Sequence, residues 1–410
     1  MALLDKISIL DNPVQEYAWG SKTLIQDLLG LSISSGKPMA ELWMGAHPGA
    51  PSRVSIDGEW KALPEVIAND PDLILGKDAA RRYSGKLPFL FKVLAADRPL
   101  SVQVHPDKFQ AREGFSRESE LGIPLNSPER SFRDENHKPE ILCALTPFQA
   151  LKGFRDINDI LMLMEKVRSP IVSDEMDRFI RNPGISGLKR FYTSLMTMDR
   201  EAQHKAVENA VGLARKFADK DREFHWMVEL DQEYPGDIGV FSPLILNLVQ
   251  IEPGEAIYLP PGKPHAYLHG AGMELMASSD NVIRGGLTPK KVDVPELLRA
   301  VRFETDDARL INPVTLSSNE RIYSAPAEEF RLSEISTTEG NHFTSPESRN
   351  VEIMICIRGE ADITDLGSGE SLKIKKGTSV IVPSIVSRYL IKGISTIYKA
   401  SVPGLSPALF

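Results

Sequence analysis

Val249-Gln250-Ile251-Glu252-Pro253-Gly254-Glu255-Ala256-Ile257-Tyr258-Leu259-Pro260 is answered further along the chain by Leu372-Lys373-Ile374-Lys375-Lys376-Gly377-Thr378-Ser379-Val380-Ile381-Val382-Pro383. In each copy a short apolar run meets a turn centred on Gly254 or Gly377, and a second apolar run then stops at a proline. Runs of this length punctuated by Gly and Pro read as two strands joined by a tight turn. A repeat of such a unit predicts related β units in one chain. The copies part at their chemistry. Eleven residues past the shared glycine the first carries His265 and the second Arg388, so only the first offers a metal ligand there and the second reads as structural.

His265 follows Pro260-Pro261-Gly262-Lys263-Pro264, a turn that would deliver an imidazole into a cavity. Its companions lie upstream, at the two ends of residues 101–140. Ser101-Val102-Gln103-Val104-His105 alternates, so on a strand Ser101, Gln103 and His105 share one face while the valines face packing. In His137-Lys138-Pro139-Glu140 the same period sets the Lys138 ammonium beside the Glu140 carboxylate. One amide, two imidazoles and one carboxylate (Gln103, His105, Glu140 and His265) suit a single Zn²⁺ per chain, or a similar borderline divalent ion. Neutral Gln103 would leave the ion more electrophilic than a second carboxylate would.

Around this nucleus the pattern varies. A helix is expected over 21–29 and a strand over 41–47. The apolar run 87–94, turned back at Ala96-Asp97-Arg98-Pro99, predicts a hairpin with 100–105. Lys92 inside that run must snorkel outward or point into a polar cavity, because an unpartnered buried ammonium is costly. Polar residues 107–135 read as a surface cover with a short helix, and 141–148 as a strand. From 156 to about 234 the apolar spacing becomes helical, as in Ile157, Ile160, Leu161 and Met164, with Pro183-Gly184 as a break. β patterning returns over 241–249, and Asp293 with Pro295 opens a helix over 293–302.

The chain has 410 residues, 42% hydrophobic and 25% charged, which predicts a globular protein of more than one unit. A net charge of -8 argues against nucleic acid or an acidic membrane as partner, yet a single phosphate needs only a local cationic cluster. Cys143 and Cys356 sit in apolar runs and read as buried free thiols. The first ten residues lack a signal-peptide pattern and no apolar run is long enough to span a bilayer, so the expectation is a cytoplasmic protein, and a monomer.

Gln-x-His-Pro (103–106), His-Lys-Pro-Glu (137–140), Pro-His-Ala-Tyr (264–267) and Ser279-Asp280-Asn281-Val282-Ile283-Arg284-Gly285-Gly286-Leu287-Thr288-Pro289-Lys290, with Tyr17-Ala18-Trp19-Gly20 and Glu41-Leu42-Trp43-Met44-Gly45, resemble the type I mannose-6-phosphate isomerases. The resemblance covers nearly the whole chain in order. It implies a mainly β fold, with a cupin-like jelly-roll catalytic domain (1–155 plus 241–310), an inserted α-helical domain (156–240) and a second, C-terminal cupin-like β domain (311–410).

It also implies a zinc-dependent aldose–ketose isomerase of carbohydrate metabolism. Mannose 6-phosphate and fructose 6-phosphate interconvert in it by proton transfer between C2 and C1 through a cis-enediol. Arg284 matches a family arginine important for catalysis, with a salt bridge to Asp280 as its ordinary alternative. Glu274, His137 and Lys138 remain open as the proton-transfer group. Glu274, set in an apolar run, is expected to have a raised pKa, or else to anchor Arg284 or Lys138. Ser101, Lys92, Lys138 and Lys290 match substrate positions, Trp19 would edge the mouth, and Lys92 then points into the cavity. Gly285-Gly286 stands where the family has Ala-Gly, which affects loop geometry alone.

Two other classes remain open on the residues. A His-His-Glu set can hold Fe²⁺ in a cupin oxidoreductase, although Gln103 and the lysines argue against it. A sugar-phosphate-binding regulator would be a decayed enzyme, although all the ligands are present. His47, His204, His225, His269 and His342 are given ordinary structural or surface roles.

Overall fold

Strands form where the apolar runs predict them, and the most apolar run becomes the most enclosed strand. Phe89–Ala96 is buried at every position because both of its edges and both of its faces are covered. It lies between Glu41–Gly45 and His265–Ala277 in an antiparallel sheet. The computed structural model describes residues 3–31 and 36–404. Among these, two large antiparallel sheets account for the β structure, with the helices grouped outside them. This is the mainly β, doubled cupin-like arrangement expected.

The internal repeat folds twice in the same way. Gly254 and Gly377 both adopt left-handed conformations, with φ of 89° and 85°, which a side chain would resist. The Glu255 N–H donates to the Glu252 carbonyl, and the Thr378 N–H to that of Lys375. Beyond the turns, Ala256–Leu259 pairs with Glu140–Ala144, and Ser379–Val382 pairs with the start of Glu352–Asp365. Each copy then presents a strand of 13 residues: Glu140–Ala144 and Phe148–Phe154 lie end to end along His265–Ala277, and the one long strand Glu352–Asp365 runs along Tyr389–Ser401.

Strand Phe148–Phe154 pairs directly with Leu246–Ile251, so the helices between them are an excursion from one ladder. Ile160, Met164, Phe179, Leu188, Phe191 and Val207 form their buried core. Asp156 caps the first helix, Ile157–Lys166, through the Asn158 N–H. Helices Ser173–Arg181 and Ile185–Thr197 stop and restart across Pro183-Gly184, as expected. Asp293 caps Val294–Ala300 and Pro295 sits in its first turn. The helix expected over 21–29 is present as Leu24–Leu29, and the strand over 41–47 as Glu41–Gly45.

Three local expectations are corrected. The 87–105 hairpin does not form: both edges of Phe89–Ala96 are occupied, and Gln103–Val104 pairs instead with His265 and with Ile283–Arg284. The run 141–148 is broken by Thr146-Pro147 into the end of Glu140–Ala144 and the start of Phe148–Phe154, because proline offers no N–H to a ladder. At 241–249, helical turns persist through Ser242–Ile245, where Pro243 is tolerated in a first turn, and the strand begins only at Leu246.

Strand Ser8–Asp11 pairs with Ser379–Val382 and so belongs to the sheet built mainly from the C-terminal copy. Among the described residues no helix is long and apolar enough to cross a membrane. Cys143 and Cys356 are free and buried, as expected.

Candidate metal centre and active site

The strands Gln103–Val104, Glu140–Ala144 and His265–Ala277 meet at one end of the first copy and bring three donors together. His105 Nε2 lies 3.3 Å from Glu140 Oε1, and His265 Nε2 lies 3.5 Å from Glu140 Oε2. One donor atom from each of the three residues falls within 4.8 Å of the others, and all three side chains are buried. The far nitrogens are tied to carbonyls: His105 Nδ1 to Asn281 at 2.8 Å and His265 Nδ1 to Lys263 at 2.9 Å. Those bonds place the proton on Nδ1 and leave each Nε2 lone pair facing inward. His105 Nε2 has no hydrogen-bond partner, an orphaned buried atom that a cation would satisfy.

Electrostatics prepare the same set. Burial pushes His105 down to about 4, so its imidazole is neutral, the form that ligates. Burial alone would raise the Glu140 carboxyl, but Lys138 at 3.1 Å and the two imidazoles hold it well below the usual carboxylate range. Gln103 stands directly opposite His265 on one ladder and Arg284 on the other, and its Nε2 lies 3.5 Å from Ser101 Oγ. This donor chemistry, two imidazoles with a carboxylate, fits Zn²⁺.

Beside these donors a small cavity is lined by Glu41, Lys92, Lys138, Tyr267 and Glu274 together with Gln103, Glu140 and His265. Lys92 points into it, which resolves the choice between snorkelling and cavity. Its Nζ bonds Glu41 at 3.2 Å and Glu274 at 3.0 Å and lies 5.3 Å from the Trp43 ring. Burial pulls Lys92 down, but Glu274 and Glu41 outweigh it and hold the ammonium above its ordinary value. Burial raises Glu274, with Lys92 partly offsetting and Glu140 and Glu41 adding to the rise. The raised pKa matches expectation. The anchor does not: Glu274 bonds Lys92, rather than Arg284 or Lys138.

Other expected residues lie farther out. Trp19 packs against the cluster containing Leu94, Leu100 and Tyr267. Arg284 is half-buried, and burial followed by the Arg133 charge lowers it; Lys290 is lowered by burial and by the Arg284 and Arg133 charges. Asp280 makes no salt bridge to Arg284; both its carboxylate oxygens lie 3.0 Å from His47 Nε2. Lys138 lines the cavity, but His137, in the irregular segment before the strand Glu140–Ala144, does not and pairs with Glu329 at 2.8 Å.

Sequence reasoning gave no role to Tyr267, Glu41, Asn281 or His47. Tyr267 was findable: two residues beyond His265 on a strand, it shares the inward face, and its buried hydroxyl has no partner. Glu41 carried a weaker signal, a lone carboxylate starting an apolar strand. Nothing in the local sequence pairs His47 with Asp280 or sets the Asn281 carbonyl on His105.

Residues 7–157 match the family profile described as phosphomannose isomerase type I, catalytic domain. The mannose-6-phosphate isomerase of Escherichia coli (strain K12) is 40% identical over 390 residues, covering 94% of this chain and 96% of its own. The chain belongs to the mannose-6-phosphate isomerase family. The human mannose-6-phosphate isomerase is 35% identical over 78% of this chain and 79% of its own. The crystal structure of mannose 6-phosphate isomerase from Salmonella typhimurium bound to fructose 6-phosphate and zinc aligns with a TM-score of 0.89 and 36% identity, over 97% of this chain and 100% of that one. As a mannose-6-phosphate isomerase family member, the chain keeps His105, Glu140 and His265 in ligating array.

Proposed function

We propose that this chain is a zinc-dependent isomerase that interconverts mannose 6-phosphate and fructose 6-phosphate through a cis-enediol. The observation that carries it is one cavity lined both by Glu140 and His265, of the His105–Glu140–His265 donor set, and by the buried Lys92–Glu274 pair. His105, Glu140 and His265 hold the metal, with Gln103 as the fourth ligand. When bound there, zinc supplies positive charge toward the C1 and C2 oxygens, where oxyanion character develops.

The chain's own groups do the rest. Glu274, whose burial favours protonation, takes the proton from C2 and returns it to C1. Lys92, held between Glu41 and Glu274, keeps that carboxylate in place. Lys138 and Arg284 stand toward the sugar oxygens, Ser101 and Lys290 toward the phosphate, and Trp19 shields the mouth. His137 and Asp280, engaged by Glu329 and His47, stay outside the chemistry. The catalytic unit is 1–155 with 241–310, and 156–240 and 311–410 are the helical and C-terminal units. The chain works as a monomer in a reducing cytoplasm, the compartment in which two buried thiols stay reduced.

The test is a coupled assay of mannose 6-phosphate turnover before chelation, after it, and after zinc is restored. Activity should vanish and return. Glu274→Gln should lower kcat about 10²- to 10⁴-fold, the usual scale for a general acid–base group, at unchanged zinc content. No turnover by fully zinc-loaded protein would end the proposal.

A further inference from the structure

Residues 133–136, just before the His137–Glu140 motif, are held by one buried side chain. Asn281 Oδ1 accepts from the Arg133 N–H at 2.7 Å and from the Asp134 N–H at 3.2 Å. Its Nδ2 donates to the carbonyls of Asp134 and Asn136, each at 2.8 Å. Both ends of the amide are therefore engaged by one loop, and the side chain is 0% exposed. Asp134 closes the clamp from the other side, accepting from Ser279 Oγ at 2.9 Å and from the Asp280 N–H at 2.7 Å. The loop's path is thus fixed against the segment that runs on into Arg284.

This clamp ties the backbone of Arg133, whose side chain is exposed, to Asn281, three residues before Arg284, and the Arg133 charge is felt by both Arg284 and Lys290. Among the described residues, none of these three side chains has an ion pair with a carboxylate. The nearby acids are otherwise engaged: Asp134 by the clamp, and Asp280, which also feels the Arg133 charge, by His47. Three cations gathered without an acid repel one another, an arrangement that becomes favourable when an anion completes it.

We propose that Arg133 is a second phosphate-binding cation beside Lys290, flanking Arg284 at the sugar oxygens, with Asn281 as the positioning residue that mounts it. The proposal rests on the sugar-phosphate reading above. Arg133 contributes ground-state affinity for the phosphate rather than help at the reacting carbons. A charged hydrogen bond is worth enough to change binding by about tenfold or more.

The experiment compares zinc-loaded wild type, Arg133→Gln, Arg133→Lys and Asn281→Ala. Arg133→Gln should raise the KM for mannose 6-phosphate and the inhibition constant of inorganic phosphate together, by about tenfold. It should leave kcat within about twofold and inhibition by a neutral sugar unchanged. Arg133→Lys should fall between the two. In Asn281→Ala the same constants should rise, and adding Arg133→Gln to it should change them little, whereas a purely structural role would lower the melting temperature and leave KM alone. Unchanged KM and phosphate inhibition in Arg133→Gln, or an equal rise for the neutral sugar, would overturn the proposal. Stabilisation of the fold by inorganic phosphate, in wild type against Arg133→Gln, decides the point even if turnover is absent, which would count against the isomerase reading alone.

Discussion

The two copies of the repeat share a ladder and allocate their charges differently. In the first, Glu140 stands opposite Met276, and Glu274, two residues back, faces Lys92 across the next ladder. In the second, Glu352 stands opposite Ser401, and Lys399, two residues back, faces Ser333. Glu41 and Glu320 occupy matching posts one strand farther out. Each copy thus buries a cation between carboxylates, but the cation has changed strand. Lys399 lies 2.8 Å from Glu320 and 3.3 Å from Glu352, while Arg349 at 3.5 Å and the Tyr389 hydroxyl at 2.8 Å take up the rest of Glu352. In the first copy Lys92 satisfies Glu41 and Glu274 instead, and Glu140 is left to the two imidazoles and Lys138. Both carboxylates keep an ammonium, and the difference is what else they face: Arg349 and Tyr389 at Glu352, two imidazoles at Glu140.

The sharpest way to break this comparison is to treat the matched carboxylates alike. Glu140→Gln should abolish zinc binding and lower turnover by about three orders of magnitude or more, while Glu352→Gln should keep zinc stoichiometry and kcat and lose stability. Metal content and the coupled assay read both, and zinc loss in Glu352→Gln would sink the distinction.

Lys399→Met strands two buried carboxylates and should cost about 3–5 kcal/mol in urea unfolding, with kcat within about twofold. A triple replacement of Lys399, Glu320 and Glu352 by apolar residues of similar size should recover most of that loss.

The smallest effect concerns the link between the copies, His137 with Glu329. Burial opposes ionisation of Glu329, but the hydrogen bond and charge of His137 hold its carboxyl below the ordinary value. A depressed folded pKa gives stability that is present above the unfolded value, about 4.3, and is lost as pH falls through the folded one. The stability gap between wild type and Glu329→Gln, on the order of 1 kcal/mol near neutrality, should therefore close in acid. A gap that persists below both values would show packing rather than charge at work.

The same contrast explains what the sequence revealed. Strands, the turn glycines and the His105, Glu140 and His265 donors were legible because they follow short-range rules of alternation, φ and motif. The failed hairpin at 87–105 was not, because which strand fills the edge of Phe89–Ala96 depends on His265–Ala277, far along the chain. Lys92 showed that a buried ammonium needs partners, yet choosing Glu41 and Glu274 required the ladder. The motif offered His137 and Lys138 alike, and only the fold shows Lys138 lining the cavity and His137 paired with Glu329, far along the chain.

The strand Ser8–Asp11 carries a consequence for how the chain is made. Its partner, Ser379–Val382, lies almost the whole chain away, with Ser8 opposite Ile381. Leu10 and Asp11 pair early with Val54 and Arg53, but the edge at Ser8 and Ile9 waits while both copies of the repeat and the helices between them emerge. A contact of such long range forms late and slowly, and until then the waiting strand is a template for another chain. Crowded nascent chains should therefore tangle first at this seam, and late capture of Ser8–Asp11 is the step at which folding yield is decided.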